Sequence, residues 1–384
     1  MQISSKKRVN HFIVPFLIVL LLISSFTPTI FADAQELTNE KPTVTVIATG
    51  GTIGSLGTSR ISYLSYGQSR IAIEDMIAYI SPEVNTYANV KTIQYGNKGS
   101  GSYTIEDFRD LTLLIEEELK TSDGVVVTTG TDTMEEFAYW FDLTVHSKKP
   151  VVLTGAMRPW GNANGDVTIG GDGPINLLNS IKLAASQKTY CYGSVLMLND
   201  EIHAARDVSK KSTYRTDTFQ SGEYGVLGYI DGDNINVERA PARVANCDDE
   251  NWFTPFDLSE VTAKALPRVE IAFTYQAAGG EVIDAFAAAG VKGIVTAGTG
   301  AGGTSAAQSV ARKKAAEEGV VFASTSRTGS GEVYGGSGNI IAAGDLLPQK
   351  ARLLLLLSLT FSDDVEEIRG WFNTIGNPSF DKNK

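Results

Sequence analysis

One stretch of the chain constrains its fold more than any other: an apolar strand that ends abruptly in two adjacent glycines. Residues 43–50 read Thr-Val-Thr-Val-Ile-Ala-Thr-Gly, and Gly51 and Thr52 follow. A nearly continuous run of β-branched and small residues is typical of a strand buried on both faces of a parallel sheet. The glycine pair lets the backbone turn sharply and approach a ligand closely. The Thr52 hydroxyl would then lie where open α/β sheets bind ligands, although an ordinary strand-to-loop turn has the same pattern.

Predicted strands and helices alternate along the rest of the first half. Strands are predicted at 90–95, from 124, at 150–153 and at 192–198, and helices at 71–80, 104–120, 134–145 and from 174. This alternation is typical of an α/β fold with a doubly wound, mainly parallel sheet. Residues 55–69 are rich in Ser, Gly and Tyr without periodicity, so we expect a long loop that is either a mobile lid or a disordered insertion.

The length of 384 residues is about right for two domains. Residues 241–266 carry prolines and acidic residues without a regular pattern, and they predict a linker. It separates a larger N-terminal α/β domain at 35–240 from a smaller C-terminal α/β domain at 267–384. In the latter, strands are predicted at 269–275, 293–296 and 320–324, and helices at 282–289, 306–318 and 349–361.

Residues 1–34 have the pattern of a signal peptide. A basic start is followed by an unbroken apolar run at 12–23, and Ala32-Asp33-Ala34 is an Ala-x-Ala cleavage pattern. The apolar run is too short to span a bilayer comfortably. We therefore expect cleavage after Ala34 and a secreted or periplasmic mature protein.

The predicted mature chain is acidic and poor in histidine. Cleavage removes three basic residues and one acidic residue, so the net charge falls from −11 to −13. An acidic surface without a basic stretch argues against nucleic acid or anionic membranes as partners. Only His146 and His203 remain, which argues against a multi-histidine zinc site. Cys191 and Cys247 can pair in an oxidising compartment if they lie close enough, which the sequence does not show.

Two common kinds of site are poorly supported. Residues 298–303, Gly-Thr-Gly-Ala-Gly-Gly, fit the dinucleotide-binding fingerprint by letter. That fingerprint also needs an acidic residue at the end of the next strand, and the sequence there is Ala323-Ser-Thr-Ser. A Ser-His-Asp hydrolase is poorly supported because the chain has no Gly-x-Ser-x-Gly elbow.

What remains at the predicted strand ends is a set of hydroxyl groups and a few charges. They are Thr49, Thr52, Thr131, Asp132 and Lys210. Threonine is a weak nucleophile at neutral pH and needs a base, and a lysine tuned by an aspartate can replace the missing histidine. Thr133 and Glu136 also match a capping box, so helix capping is the competing role for the polar residues near 131.

Five segments form a specific, collinear set that covers essentially the whole mature chain. They are Ala-Thr-Gly-Gly-Thr-Ile (48–53), Thr-Gly-Thr-Asp-Thr-Met-Glu-Glu (129–136), Gly-Ala-Met-Arg-Pro (155–159), Arg-Asp-Val-Ser-Lys (206–210) and Pro-Gln-Lys-Ala-Arg (348–352). The set resembles the motifs of bacterial type II L-asparaginases, in the asparaginase/glutaminase family.

The resemblance implies a secreted enzyme that hydrolyses L-asparagine to L-aspartate and ammonia through an acyl-enzyme, without a metal or organic cofactor. Thr52 takes the position of the nucleophile. Tyr66 takes that of the loop tyrosine, although Tyr63 competes for it. Thr131, Asp132 and Lys210 match the set that activates the attacking group or the water. The family assembles as a homotetramer with sites between subunits, and the same is expected here.

The resemblance also implies substrate-binding residues, with some departures from the family pattern. Asp132, beside Thr131, is the expected partner of the α-ammonium, and Ser100 that of the α-carboxylate. Gly101 stands where many relatives have a glutamine touching the α-amine. Gly303 stands where an asparagine often reaches the neighbouring subunit's site. Glu332 matches the neighbour's glutamate, in a loop too different for a firm register.

Two further departures concern a loop and the cysteines. The loop at 161–173 is several residues longer than usual, and neither cysteine coincides with the disulfide seen in some relatives. Two alternatives follow: a glutaminase-asparaginase with a roomier pocket, and a secreted amino-acid-binding protein, since two α/β domains around a cleft also describe that class.

Overall fold

The computed structural model describes residues 40–380. The predicted signal peptide at 1–34 and its cleavage site lie outside these residues. The described strands, numbered in chain order, are β1 Thr43–Gly50, β2 Ser55–Gly57, β3 Tyr66–Arg70, β4 Asn89–Lys98, β5 Gly124–Thr128, β6 Val151–Thr154, β7 Gly161–Asn162, β8 Ser194–Leu198, β9 Glu201–Ala204, β10 Ser209–Lys210, β11 Phe219–Gln220, β12 Gly228–Asp231, β13 Asn234–Val237, β14 Val269–Phe273, β15 Gly293–Gly298, β16 Val321–Ser326 and β17 Ile340–Ala342.

The described α-helices are α1 Ile73–Tyr79, α2 Ile105–Leu119, α3 Met134–Thr144, α4 Gly173–Ala185, α5 Glu281–Ala288, α6 Ala306–Glu317, α7 Pro348–Phe361 and α8 Val365–Trp371. The start of α2 shows how the sequence sets a boundary. Thr104 and Asp107 form a reciprocal capping box, with the Asp107 N–H donating to the Thr104 hydroxyl oxygen at 3.1 Å.

The larger sheet has eight strands in the order β13-β12-β9-β8-β6-β5-β1-β4. The five from β4 to β8 pair in parallel, and the last three, β9, β12 and β13, pair antiparallel. The chain runs from β1 to β4 on one side and then returns past β1 to β5 on the other. Ligands bind at such a reversal in open α/β sheets, at the carboxyl ends of the strands.

The smaller sheet is parallel, in the order β14-β15-β16-β17. Helices α5 and α6 contact each other and cover a small cluster that includes Ile294 and Phe322. The long helix α7 contacts β14, β15 and β16 as well as α3 of the larger sheet. The two sheets with their helices confirm the predicted α/β fold class.

Residues 55–69 differ from the sequence expectation. Strands β2 and β3 form a hairpin here, and β2 pairs in parallel with β7 from the long loop at 161–173. The Ile169 N–H donates to the Arg60 carbonyl oxygen at 2.9 Å, so the two segments hold each other. The expectation of a loop throughout 55–69 was therefore wrong for β2 and the start of β3, because such short strands leave no periodic pattern in the sequence. Residues 58–65 form a loop between them, and its movement as a lid stays a prediction.

The junction between the sheets contains three 3₁₀ turns, at Ala242–Asn246, Glu250–Trp252 and Ala263–Ala265. Cys247 in this junction forms a disulfide with Cys191, and their Cα atoms lie 5.7 Å apart. From Lys41 onward the described chain groups into one unit, and the domain boundaries at 240 and 266 stay a prediction. Among the described residues, none of the helices has both the length and the apolar character that crossing a bilayer requires.

Candidate active site

Two glycine turns at the ends of neighbouring strands are in direct contact. Gly51 follows β1 with a φ of 85°, a region that L side chains rarely adopt, and its N–H donates to the Lys98 carbonyl oxygen at 3.1 Å. A Cβ atom added to Gly51 would lie 2.3 Å from both Cα and N of Gly130, which follows β5. A close approach of this kind needs glycine. Thr52 and Thr131 are the next residues along these two turns.

Thr52 begins a 3₁₀ turn, Thr52–Gly54, and is half-buried. Its hydroxyl oxygen lies 3.0 Å from the hydroxyl oxygen of Tyr66, at the start of β3. The competing tyrosine, Tyr63, instead donates to the Ile169 carbonyl oxygen at 3.1 Å. The structure therefore places Tyr66, and not Tyr63, beside Thr52.

The second group consists of Thr131, Asp132 and Lys210. Lys210 lies on β10, which a two-residue ladder joins to β11. Its Nζ donates to the Thr131 hydroxyl oxygen at 2.9 Å and to Asp132 Oδ1 at 2.7 Å. The Lys210 side chain is 15% exposed and that of Asp132 is 86% exposed. The lysine is thus held inside the site, whereas much of the carboxylate can meet a ligand from solution.

Ser100 joins the same cluster from the loop after β4. It is buried, and its hydroxyl oxygen accepts a hydrogen bond from the Thr133 N–H at 3.2 Å. The hydroxyl proton of Ser100 is then left to donate to another acceptor. A Cβ at Gly130 would lie 3.0 Å from Ser100 Oγ, so three loops meet here. A Cβ at Gly101 would meet nothing within 4 Å, which leaves open space at that position.

Helix α3 begins after Thr133, as predicted, but without the predicted capping box. Thr133 makes no side-chain capping hydrogen bond, and its hydroxyl has no partner among the described residues. Its N–H is bonded to Ser100 instead. The interpretation of Thr133 and Glu136 as a side-chain cap was therefore wrong, and the turn connects to the loop after β4.

Glu332 lies apart from these contacts. It is half-buried, and a hydrogen bond from the Tyr334 hydroxyl to its carboxylate raises the pKa of Tyr334. The nearby Gly329 approaches Lys211, since a Cβ there would lie 3.8 Å from Lys211 Nζ. The expected contact of Glu332 with a neighbouring subunit's substrate stays a prediction.

The arrangement places a hydroxyl pair next to a hydroxyl-carboxylate-ammonium set at the reversal point of a parallel sheet. Such a site can present a nucleophile and clamp a small molecule that carries both charges. Among residues 40–380, no group of three or more His, Cys, Asp or Glu side chains is arranged to hold a metal ion.

Two family models match the chain: "Asparaginase, N-terminal" over residues 43–243 and "Glutaminase/Asparaginase C-terminal domain" over 268–372. The chain belongs to the asparaginase family. The predicted resemblance is confirmed. The chain is 39% identical to the probable periplasmic L-asparaginase of Haemophilus influenzae, over 89% of this chain and 94% of that protein.

Other relatives within the asparaginase family carry two kinds of name. The chain is 37% identical to L-asparaginase 2 of Escherichia coli, covering 86% of this chain and 93% of that protein. It is 35% identical to the glutaminase-asparaginase of Acinetobacter glutaminasificans, covering 86% and 99%. A solved structure, of a probable cytoplasmic L-asparaginase from Campylobacter jejuni, matches with a TM-score of 0.79 at 35% identity, covering 87% of this chain and 99% of that one.

Sequence reasoning on this asparaginase-family chain missed Asp172, which holds the loop after β6 in place. Its carboxylate accepts hydrogen bonds from the N–H groups of Met157 at 2.8 Å and Arg158 at 3.0 Å, within the motif after β6. Burial raises the pKa of Asp172, while these N–H groups act in the opposite direction. The one signal in the sequence was the Asp-Gly-Pro at the start of α4. It indicates a helix boundary but not that Asp172 binds the backbone of the preceding loop.

Proposed function

We propose that this protein is a secreted L-asparaginase that hydrolyses L-asparagine to L-aspartate and ammonia, with Thr52 as the nucleophile. The observation that carries the proposal is the contact between the Gly51 and Gly130 turns. That contact places the Thr52–Tyr66 pair next to the Thr131–Asp132–Lys210 set. Membership of the asparaginase family supports the reaction class.

The proposed reaction has two halves. In the first, Thr52 Oγ forms a bond to the carboxamide carbon, the C–N bond breaks, and ammonia leaves with the proton that Thr52 gives up. In the second, water attacks the ester carbon, the bond to Oγ breaks, and a proton returns to Thr52. Tyr66 is within 3.0 Å of Oγ and can pass that proton. Lys210 and Thr131 activate either the attacking hydroxyl or the water.

Substrate recognition follows from the charges around the site. One carboxylate oxygen of Asp132 accepts a hydrogen bond from Lys210, and the exposed carboxylate can also bind the α-ammonium of an amino acid. Ser100 receives a hydrogen bond from Thr133, so its own O–H can donate to the α-carboxylate. A carboxylate and a hydroxyl donor placed in this way hold the two charged groups of a zwitterion, with its side chain towards Thr52. Glu332 is proposed to contribute from a neighbouring subunit.

An ammonia-release assay on the purified protein tests the proposal. We expect release from L-asparagine, and a loss on the order of 10³-fold or more in kcat for Thr52→Ala, because the acyl-enzyme cannot form. Thr58→Ala, a threonine on the same hairpin that bonds to Ser62, is the matched control and should keep the wild-type rate. Unchanged release by Thr52→Ala would refute the proposed nucleophile.

The glutaminase-asparaginase alternative rests on relatives of both names and on the open space at Gly101. Comparing kcat/KM for L-asparagine, L-glutamine and their D-forms separates the two. Equal values for the two L-amides would favour the broader specificity. An amino-acid-binding protein would bind asparagine in calorimetry without releasing ammonia, and that result would overturn the enzyme proposal.

Secretion and assembly are part of the same proposal. The leader pattern at 1–34 and the periplasmic name of a relative support export. N-terminal sequencing of the exported protein should begin at Gln35. Light scattering on the purified protein should give the mass of four chains, and a monomer with full activity would contradict sites shared between subunits.

A further inference from the structure

The motif at 348–352 takes no part in the proposed reaction, yet it contains a fully buried lysine. Lys350 is the third residue of α7 and has no exposed surface. A lysine is seldom buried completely unless its ammonium group finds partners. This raises the question of what the charge holds in place.

The ammonium group of Lys350 donates three hydrogen bonds to three backbone carbonyl oxygens. They belong to Ala205 at 2.8 Å, Arg206 at 2.6 Å and Val208 at 2.5 Å. An ammonium group has three N–H donors, so all of them are used on one short stretch of chain. A neutral aliphatic side chain has no N–H donor and cannot make these bonds.

The surroundings of Lys350 support the charged form near neutral pH. Burial lowers the pKa of Lys350 to about 8, while the carboxylates of Glu135, Asp207 and Asp142 raise it and Arg206 lowers it further. With a pKa of about 8, the lysine carries its third N–H at neutral pH.

The stretch that Lys350 holds leads directly to the site. Residues 205–208 connect β9 to β10, and β10 carries Lys210 two residues beyond Val208. Arg206 on this stretch also bonds to Asp345 and to the Gly376 carbonyl oxygen, so it is fixed from the side of the smaller sheet. With its backbone fixed here, Lys210 has little freedom except in its own side chain.

We propose that Lys350 is a positioning residue for Lys210: by bonding three carbonyls of residues 205–208, it sets where Lys210 Nζ reaches Thr131. The inference rests on the proposed function, in which Lys210 activates a hydroxyl or a water. A displacement of about 1 Å at such a group can lower the rate on the order of 100-fold.

The test compares Lys350→Met with a matched control, Lys182→Met. Lys182 is also a buried lysine, with a 5% exposed side chain, and it bonds the Gly232 carbonyl and Asp233 in the turn between β12 and β13. Replacing either lysine by Met removes a buried charge that binds a loop. Only the first change touches the segment leading to Lys210.

For folded Lys350→Met we expect kcat for asparagine to fall roughly 10- to 100-fold with KM changed by less than about 3-fold, since a misplaced Lys210 affects the chemical step. Peptides covering 205–212 should exchange hydrogen faster than in the wild type. Lys182→Met should keep kcat within about 2-fold and leave those peptides unchanged. Wild-type kcat in Lys350→Met, or a rise in KM alone, would overturn the inference.

Two further measurements keep the outcome decisive. If Lys350→Met does not fold, Lys350→Gln, which keeps two N–H donors, takes its place; we expect its kcat to fall by less than the roughly 10- to 100-fold expected for Met, and a wild-type value would overturn the inference. If the wild type releases no ammonia, the proposed function fails, but a crystal structure of the variant still decides the positioning role. Lys210 Nζ should then lie beyond hydrogen-bond distance of Thr131, and an unchanged distance of 2.9 Å would refute it.

Discussion

At the residue scale, two tyrosines three positions apart have different partners. The hydroxyl of Tyr66 lies 3.0 Å from that of Thr52, whereas Tyr63 bonds the Ile169 carbonyl oxygen. We expect Tyr66→Phe to lower kcat on the order of 10²-fold or more, because proton transfer at Thr52 loses its partner. Tyr63→Phe, the control, should keep kcat within about 3-fold in the same ammonia assay. The opposite ranking would assign the loop tyrosine to Tyr63.

The contact between the two glycine turns gives a second prediction. Gly51→Ala requires a Cβ at a φ of 85° and 2.3 Å from Gly130. We expect it to lower the free energy of unfolding by at least about 2 kcal/mol and to abolish activity, because the turns must separate. Gly101→Ala, where the added Cβ meets nothing within 4 Å, should be nearly neutral in urea denaturation. Equal stability of the two variants would contradict the proposed close contact.

The candidate site could be predicted from the sequence in part. Thr52, Thr131 and Asp132 stand directly after apolar strands, and parallel strands end at the same edge of a sheet. Lys350 and Asp172 could not be assigned a role. Lys350 acts on a backbone stretch more than 140 residues away, and Asp172 acts on the loop before its own helix. A charged residue near a helix start looks the same in the sequence whether it faces solvent or buried backbone groups.

At the element scale, long periodic segments and buried apolar strands were predictable, and the shortest polar strands were not. Helices α2, α3 and α6 lie within one or two residues of their predicted bounds. Strands of two to five residues in the 55–70 hairpin and at β10 and β11 were missed. Strands this short show no clear period-2 pattern, and their stability depends on the partner strand, so the local sequence carries little signal.

The disulfide between Cys191 and Cys247 ties the start of β8 to the junction between the sheets. It closes a loop with a sequence separation of 56. We expect the Cys191→Ser/Cys247→Ser variant to lose about 2–4 kcal/mol of unfolding free energy, because the unfolded chain regains freedom. Reduced and oxidised wild-type protein should differ by a similar amount in denaturant titrations. Identical unfolding curves would show that the bond adds no stability.

At the scale of the whole molecule, the pair of Arg206 and Asp345 links the two sheets and makes stability depend on pH. Burial alone raises the pKa of Asp345, but the hydrogen bond and charge of Arg206 outweigh it and hold this pKa below its usual range. The carboxylate therefore stabilises the fold above its unfolded pKa of about 3.9, and this contribution is lost as the pH falls through the lower folded pKa.

Asp345→Asn tests this link. At pH 7 we expect the variant to be less stable by about 1–3 kcal/mol, since the largely buried Arg206 guanidinium loses one of its two carboxylate partners and keeps only Asp207. At about pH 2.5, well below the unfolded pKa of about 3.9, the difference should be smaller, because protonation of the unfolded carboxyl has already removed part of its contribution. Urea denaturation at both pH values measures it. A difference that stays constant between them would exclude the ion pair as its source.

Helix α7 packs on β14, β15 and β16 with one side and on α3 with another, and the residues it shares with both belong to one apolar cluster. Chimeras that join the first half of one relative to the second half of another would therefore pass through the middle of a single hydrophobic core. Such chimeras should fold only when α3 and α7 come from the same parent. Sequence changes in one of these two helices therefore require matching changes in the other.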